Sequence, residues 1–172
     1  MNPHLDSRVD LAKKIASTLI DRGWTIALAE SCTGGLVCAT LTDLAGSSDW
    51  FERGYITYSN QAKTDCLGVP TQMIESFGAV SESVAKAMAE GAQAHAHVNL
   101  GISITGIAGP SGGSLEKPVG TVCFGWAIKE QVSNDIACVT TTKTMHFAGE
   151  RKAVREQACH YALSQLLQLI SA

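Results

Sequence analysis

The run 25-TIALA-29 holds no charged residue and shows no alternation of polar and apolar positions, so it predicts a strand buried on both faces. Such a strand belongs in a layered α/β fold, and the neighbouring segments are consistent with one. Ser7 followed by Asp10 resembles a capping box with Asp in place of Glu. Leu11, Ile15, Leu19 and Ile20 then recur at helical spacing up to Gly23. After Gly35, the residues LVCATLTDL predict a second helix that ends near Gly46. The segment 54-GYITYS-59 reads as a strand and 60-NQAKTDCLG-68 as a short helix after it. Ser81 is placed to cap a longer helix with Val84, Ala85, Met88, Ala89 and Ala92 on its inner face. Next come a strand, 99-NLGISITG-106, and a glycine-rich loop, 107-IAGPSGGSLEKPVG-120. Two further strands are expected over 119–128 and 135–147, turning at Asn134 and nearby polar residues, and an amphipathic helix closes the chain at about 150–170. Strands alternating with helices, plus one hairpin, predict a mixed sheet in a single domain over residues 1–172.

Composition narrows the function classes. At 45% hydrophobic and 17% charged residues, the chain is expected to fold around a real core. A net charge of -3 argues against a basic nucleic-acid-binding surface. The apolar stretches are too short and interrupted to span a membrane. The start, MNPHLDSRVDLAKK, lacks the basic-then-apolar order of a signal peptide, so the expected location is cytoplasmic. Six cysteines without a C-x-x-C pair read as free, mostly buried small hydrophobes. His95 and His97 would point to different sides of a helix, and no ligand group has metal-site spacing, so no metal and no cofactor are expected.

Three predicted strands end in small polar or glycine-containing segments: Glu30 to Gly35, Tyr58 to Lys63, and Thr105 to Gly113. In open α/β sheets ligands sit beyond the carboxyl ends of strands, so these segments are expected to share one site. Gly34 and Gly35 allow a sharp turn whose N–H groups, with those of Cys32 and Thr33, suit an anion or the oxyanion of an acyl transfer. Ser31 or Thr33 could equally be a plain helix cap. As a nucleophile Ser31 needs a base, and no histidine lies in these segments. Lys63 is the candidate: burial disfavours its charged form and makes it a proton acceptor. Tyr58 could orient that lysine or relay the proton; a packed aromatic and a solvated lysine are the ordinary alternatives. Cys32 is a rival nucleophile, because a thiol near a helix N-terminus can be acidified. Glu30 is expected to hydrogen-bond the loop backbone or anchor Lys63.

Taken together, 29-AESCTGG-35, 46-GSSDWFERGYITYSNQAK-63, 78-GAVSE-82, 104-ITGIAGPSGG-113 and 116-EKPVGTV-122 resemble the CinA C-terminal domain family over about residues 8–170. The resemblance implies a three-layer α/β/α sandwich that deamidates nicotinamide mononucleotide to nicotinate mononucleotide and ammonia in pyridine-nucleotide salvage. It implies Ser31 as nucleophile, Lys63 as general base, Tyr58 as third participant, no metal and a homodimer. The larger relatives carry an N-terminal pyrophosphatase domain, for which this chain is too short. Within that frame the 105-TGIAGPSGG-113 loop, through Thr105, Gly106, Ala108 and Gly109, is expected to hold ribose and phosphate. Arg151 could complete a phosphate clamp with Arg155, although solvated or subunit-contact positions are expected of both. A nucleotide-sensing module using the same loops without chemistry is the alternative function.

Overall fold

The computed structural model describes residues 7–132 and 135–171. Helix α1 (Arg8–Arg22) begins at Ser7, whose Oγ accepts the Asp10 N–H, and stops at Gly23 in the left-handed conformation. Strand β1 (Ile26–Glu30) is buried at every position. Helix α2 (Leu36–Thr42) is followed by a short 3₁₀ turn at Ser47–Asp49 and strand β2 (Phe51–Ile56). Then come α3 (Asn60–Leu67), α4 (Thr71–Phe77), α5 (Glu82–Ala96) and strand β3 (Leu100–Gly106). Strands β4 (Thr121–Val132) and β5 (Asp135–His146) form the hairpin, and α6 (Arg151–Ser171) closes the chain.

The sheet order is β2-β1-β3-β4-β5, with β1 parallel to β2 and β3, and β3–β4 and β4–β5 antiparallel. This is a mixed sheet in three layers. On one face Leu28, Ile102, Ile104, Phe124 and Trp126 pack against α1, α2 and α6. On the other, Ala27 and Ala29 pack against α5 and the Leu67–Ile74 region of α3 and α4. Small residues on the second face let α5 approach closely. A Cβ added at Gly101 of β3 would lie 2.1 Å from the Ala89 carbonyl oxygen. The five inner residues expected of α5 are all fully buried.

Several expectations shift. Strand β2 starts and ends three residues earlier than predicted; its end falls before Ser59 because that residue caps α3, its Oγ accepting the Ala62 N–H, and cannot also continue the strand. Helix α4 was not anticipated; it follows Pro70 and is only seven residues long. Ile20 faces solvent, 57% exposed, so the inner stripe of α1 is Leu11, Ala12, Ile15, Ala16 and Leu19. His97 ends α5 at φ 55° and so is not a helical partner of His95. Among the six free cysteines, Cys32, Cys123 and Cys159 are buried, Cys38 is half-buried, and Cys66 and Cys138 are exposed, so fewer are packed inside than expected. The expected turn at Asn134 lies outside the described residues. Among the described residues no helix is long and apolar enough to cross a membrane.

Candidate active site

Strands β2, β1 and β3 are neighbours and run the same way, so their carboxyl ends emerge side by side. Just past those ends the ladder continues by single bonds: the Thr57 N–H donates to the Glu30 carbonyl and the Ser31 N–H to the Ile104 carbonyl, both at 2.9 Å. The topology thus brings all three polar strand ends together.

Ser59 sets the start of α3, which places Lys63 one turn into the helix with its side chain under the sheet end, 1% exposed. Its Nζ lies 2.9 Å from the Thr57 carbonyl, 3.3 Å from Ser31 Oγ and 3.5 Å from the Tyr58 carbonyl. No carboxylate is among its partners in the described residues. Desolvation by burial therefore lowers the Lys63 pKa from the ordinary lysine value, only partly opposed by the Cys32 side chain. Two carbonyls and one hydroxyl can satisfy either the three protons of an ammonium or the two protons and lone pair of a neutral amine.

The turn after β1 is built around Glu30. Its fully buried carboxylate accepts from the N–H groups of Gly35 (2.9 Å), Val37 (3.2 Å) and Cys38 (2.8 Å). It thereby caps α2 from within the chain and holds the positive end of that helix. Gly34 and Gly35 sit at φ +59° and +95°, and the Gly34 N–H donates to the Ser31 carbonyl at 3.0 Å. The donors expected from these two glycines therefore point elsewhere, and what they supply is the turn itself. By contrast, no oxygen among the described residues accepts from the N–H of Cys32 or of Thr33. Glu30 anchors the loop and does not pair with Lys63. The Cys32 thiol is 5% exposed, and burial first, with the Glu30 charge second, pushes its pKa up to about 12. It is a poor thiolate.

The glycine-rich loop and α6 complete the surroundings. Arg151 donates to the Gly109 carbonyl (2.9 Å) and to the Tyr58 phenol oxygen (2.8 Å). Arg155, one turn on, donates through Nε to the Cys32 carbonyl (3.1 Å) and through Nη2 to the Thr33 carbonyl (2.8 Å). Solvated or subunit-contact positions were expected of both arginines; instead each donates to backbone carbonyls of the loops around the site. Tyr58 is 59% exposed and offers Lys63 its carbonyl, while its phenol is turned to Arg151. The Thr105 hydroxyl is buried and donates to the Ala79 carbonyl, so it has no free proton for a ligand. Beside the loop lies a cleft of about 460 Å³ lined by Ala108, Pro110, Val119, Gly149, Glu150 and Arg151. Gly106 ends β3, two residues before Ala108, and does not itself line the cleft. Two buried hydroxyls, Thr33 Oγ1 and Thr57 Oγ1, have no hydrogen-bond partner among the described residues. Sequence reasoning missed Thr57 and the loop-holding role of Arg155. The i,i+4 spacing of Arg151 and Arg155, which puts both on one face of α6, was the available signal.

This arrangement can activate a hydroxyl in a water-poor setting and stabilise negative charge beside it. The model of the CinA C-terminal domain matches residues 8–170. The chain is 48% identical to the nicotinamide-nucleotide amidohydrolase PncC of Escherichia coli K12 over 93% of both proteins. It is 49% identical to a CinA-like protein of Syntrophobacter fumaroxidans over 98% of this chain, but spans only 38% of that longer relative. Among solved structures, a CinA superfamily protein from Escherichia coli superposes with a TM-score of 0.89 at 38% identity, covering 98% of this chain and 94% of that one.

Proposed function

The chain belongs to the CinA C-terminal domain family, and from that membership we propose that it is a nicotinamide-nucleotide amidohydrolase working by a Ser31–Lys63 mechanism. The substrate is nicotinamide mononucleotide, and water converts its carboxamide to nicotinate mononucleotide and ammonia. The observation that carries the mechanism is the buried amine of Lys63, 3.3 Å from Ser31 Oγ and without a carboxylate partner among the described residues.

Ser31 Oγ attacks the amide carbon as its proton passes to the Lys63 lone pair. The carbonyl oxygen gains negative charge facing the N–H groups of Cys32 and Thr33. Lys63 returns the proton to the departing nitrogen, which leaves as ammonia with the acyl group esterified on Ser31. Water then attacks the ester, Lys63 takes one of its protons, and Ser31 leaves with that proton. The exposed Tyr58 ring offers a face for the pyridine ring, and its phenol steadies Arg151. The ribose phosphate lies along the 460 Å³ cleft, a size typical of small-molecule sites, with Arg151 and the backbone of Gly106, Ala108 and Gly109 as its contacts. Glu150 on the cleft wall opposes a phosphate placed too near it, which favours the Arg151 side. The homodimer belongs to the proposal as well, and sedimentation should give twice the 18.1 kDa chain mass.

Ammonia release from nicotinamide mononucleotide tests the reading. Wild type should turn over and Ser31→Ala should not. A wild-type protein that binds the nucleotide and releases no ammonia would make it the sensing module instead.

A further inference from the structure

The Cys32–Thr33 peptide is gripped from one side. In a trans peptide the carbonyl of one residue and the N–H of the next point in opposite directions. Arg155 takes the Cys32 carbonyl through Nε, which turns the Thr33 N–H away from α6. Its Nη2 takes the Thr33 carbonyl, and the Gly34 N–H on the far side of that second peptide closes onto the Ser31 carbonyl. Helix α6 lies in the layer with α1 and α2, whereas Lys63 reaches Ser31 from α3 in the opposite layer. The Thr33 N–H therefore leaves the turn away from the guanidinium, and no oxygen among the described residues receives it. A Cβ at position 34 would meet Arg155 Nη2 at 3.7 Å, an ordinary contact, so what calls for glycine there is the φ of +59° and not the guanidinium.

We propose that Arg155 is a positioning residue: by holding the Cys32 and Thr33 carbonyls from the α6 side, it fixes the Thr33 N–H as a donor to the oxyanion that forms over Ser31. This inference rests on the amidohydrolase reading for its chemistry, while the peptide orientation it invokes stands independently. The physical logic is preorganisation. A donor already aimed at the developing charge needs no rearrangement during the reaction, and a peptide free to rotate loses that advantage. Arg suits the task because its planar fork satisfies two adjacent carbonyls at once, which a single ammonium cannot do with the same geometry.

The test compares Arg155→Met, Arg155→Ala, Arg155→Lys and the exposed neighbour Lys152→Met in ammonia release from nicotinamide mononucleotide. Removing an oxyanion donor outright costs about 10²–10³ in kcat, so releasing the peptide that carries it should cost about 10- to 100-fold in Arg155→Met. KM should stay within threefold, and the acid limb of the pH profile should not move, because Arg155 does not touch Lys63. Arg155→Lys should lose about 3- to 10-fold, and Lys152→Met less than twofold. Millimolar guanidinium ion should restore part of the rate in Arg155→Ala, which a purely structural defect would not allow. Unchanged kcat, a loss confined to KM, or a shifted acid limb would overturn the proposal. Should Arg155→Met not fold, Arg155→Lys carries the same readouts. Amide NMR judges the inference even if wild type releases no ammonia and the amidohydrolase reading falls. The Thr33 amide resonance should move in Arg155→Lys while those of Val37 and Cys38, held by Glu30, stay in place; an unmoved Thr33 amide overturns it.

Discussion

Replacing Glu30 by Gln is a sharp test of how the turn after β1 is held. The wild-type carboxylate accepts three backbone N–H groups at 2.8–3.2 Å while fully buried, two through Oε2 and one through Oε1. A Gln oxygen in the Oε2 position keeps Gly35 and Val37, but its NH₂ then faces the Cys38 N–H, donor against donor. That stranded donor costs about 1–3 kcal/mol, and exchanging two charge-assisted bonds for neutral ones costs roughly 1 kcal/mol each. Loss of the negative charge at the start of α2 adds up to about 1 kcal/mol. The sum is roughly 3–6 kcal/mol, a large part of the stability of an ordinary domain. At about 2–4 °C per kcal/mol for a chain of this size, Glu30→Gln should melt about 6–24 °C below wild type by calorimetry. Glu30→Ala strands all three donors and should be at least as damaging. A Glu30→Gln protein melting within 2 °C of wild type would refute this account of the turn.

Other outcomes follow from the same geometry. With the Cys32 pKa pushed up to about 12, its thiolate fraction at pH 7 is on the order of 10⁻⁵, so Cys32→Ser should keep ammonia release within about threefold while Ser31→Ala loses at least about 10³-fold. Lys63→Met should lower kcat by about 10²–10⁴. Its stability should also differ in pH dependence. Burial lowers the folded-state pKa of Lys63 below the unfolded value of 10.5, so between the two the unfolded chain binds more protons and wild-type stability rises with pH. Denaturant midpoints of Lys63→Met should lack that rise; an unchanged slope would contradict it. Gly101→Ala pushes a methyl to 2.1 Å from the Ala89 carbonyl oxygen, so it should cost about 1–3 kcal/mol by chemical denaturation, with no loss meaning that α5 gives way freely.

Much of this molecule was legible in the chain because its constraints are local. The run 25-TIALA-29, with no charged residue and no alternation, predicted a strand buried on both faces, and β1 lies between β2 and β3. The Ser81 cap and the small inner face of α5 follow from spacing alone. Where two local signals competed, sequence reading misplaced the boundary: the β-forming 54-GYITYS-59 pattern ran through Ser59, which the cap of α3 claims. Helix α4 escaped because seven residues with Ile74 as the only buried one show no full amphipathic period. In the site, the residue types at 31 and 63 were evident, but their meeting across 32 residues is a product of strand order. Arg155 reaches a carbonyl 123 positions away, and the free Thr33 N–H depends on the orientation of one peptide. Neither property is written in residue type. The same holds for Tyr58, whose phenol turns to Arg151 and not to Lys63.

The most direct test of the central claim is an NMR titration of the Lys63 side chain beside the pH profile of kcat/KM for ammonia release. A Lys63 amine that loses its proton well below 10.5, at the pH where the acid limb of kcat/KM rises, is the predicted result. A Lys63 that stays an ammonium up to the ordinary lysine range while the enzyme is fully active at neutral pH would contradict it.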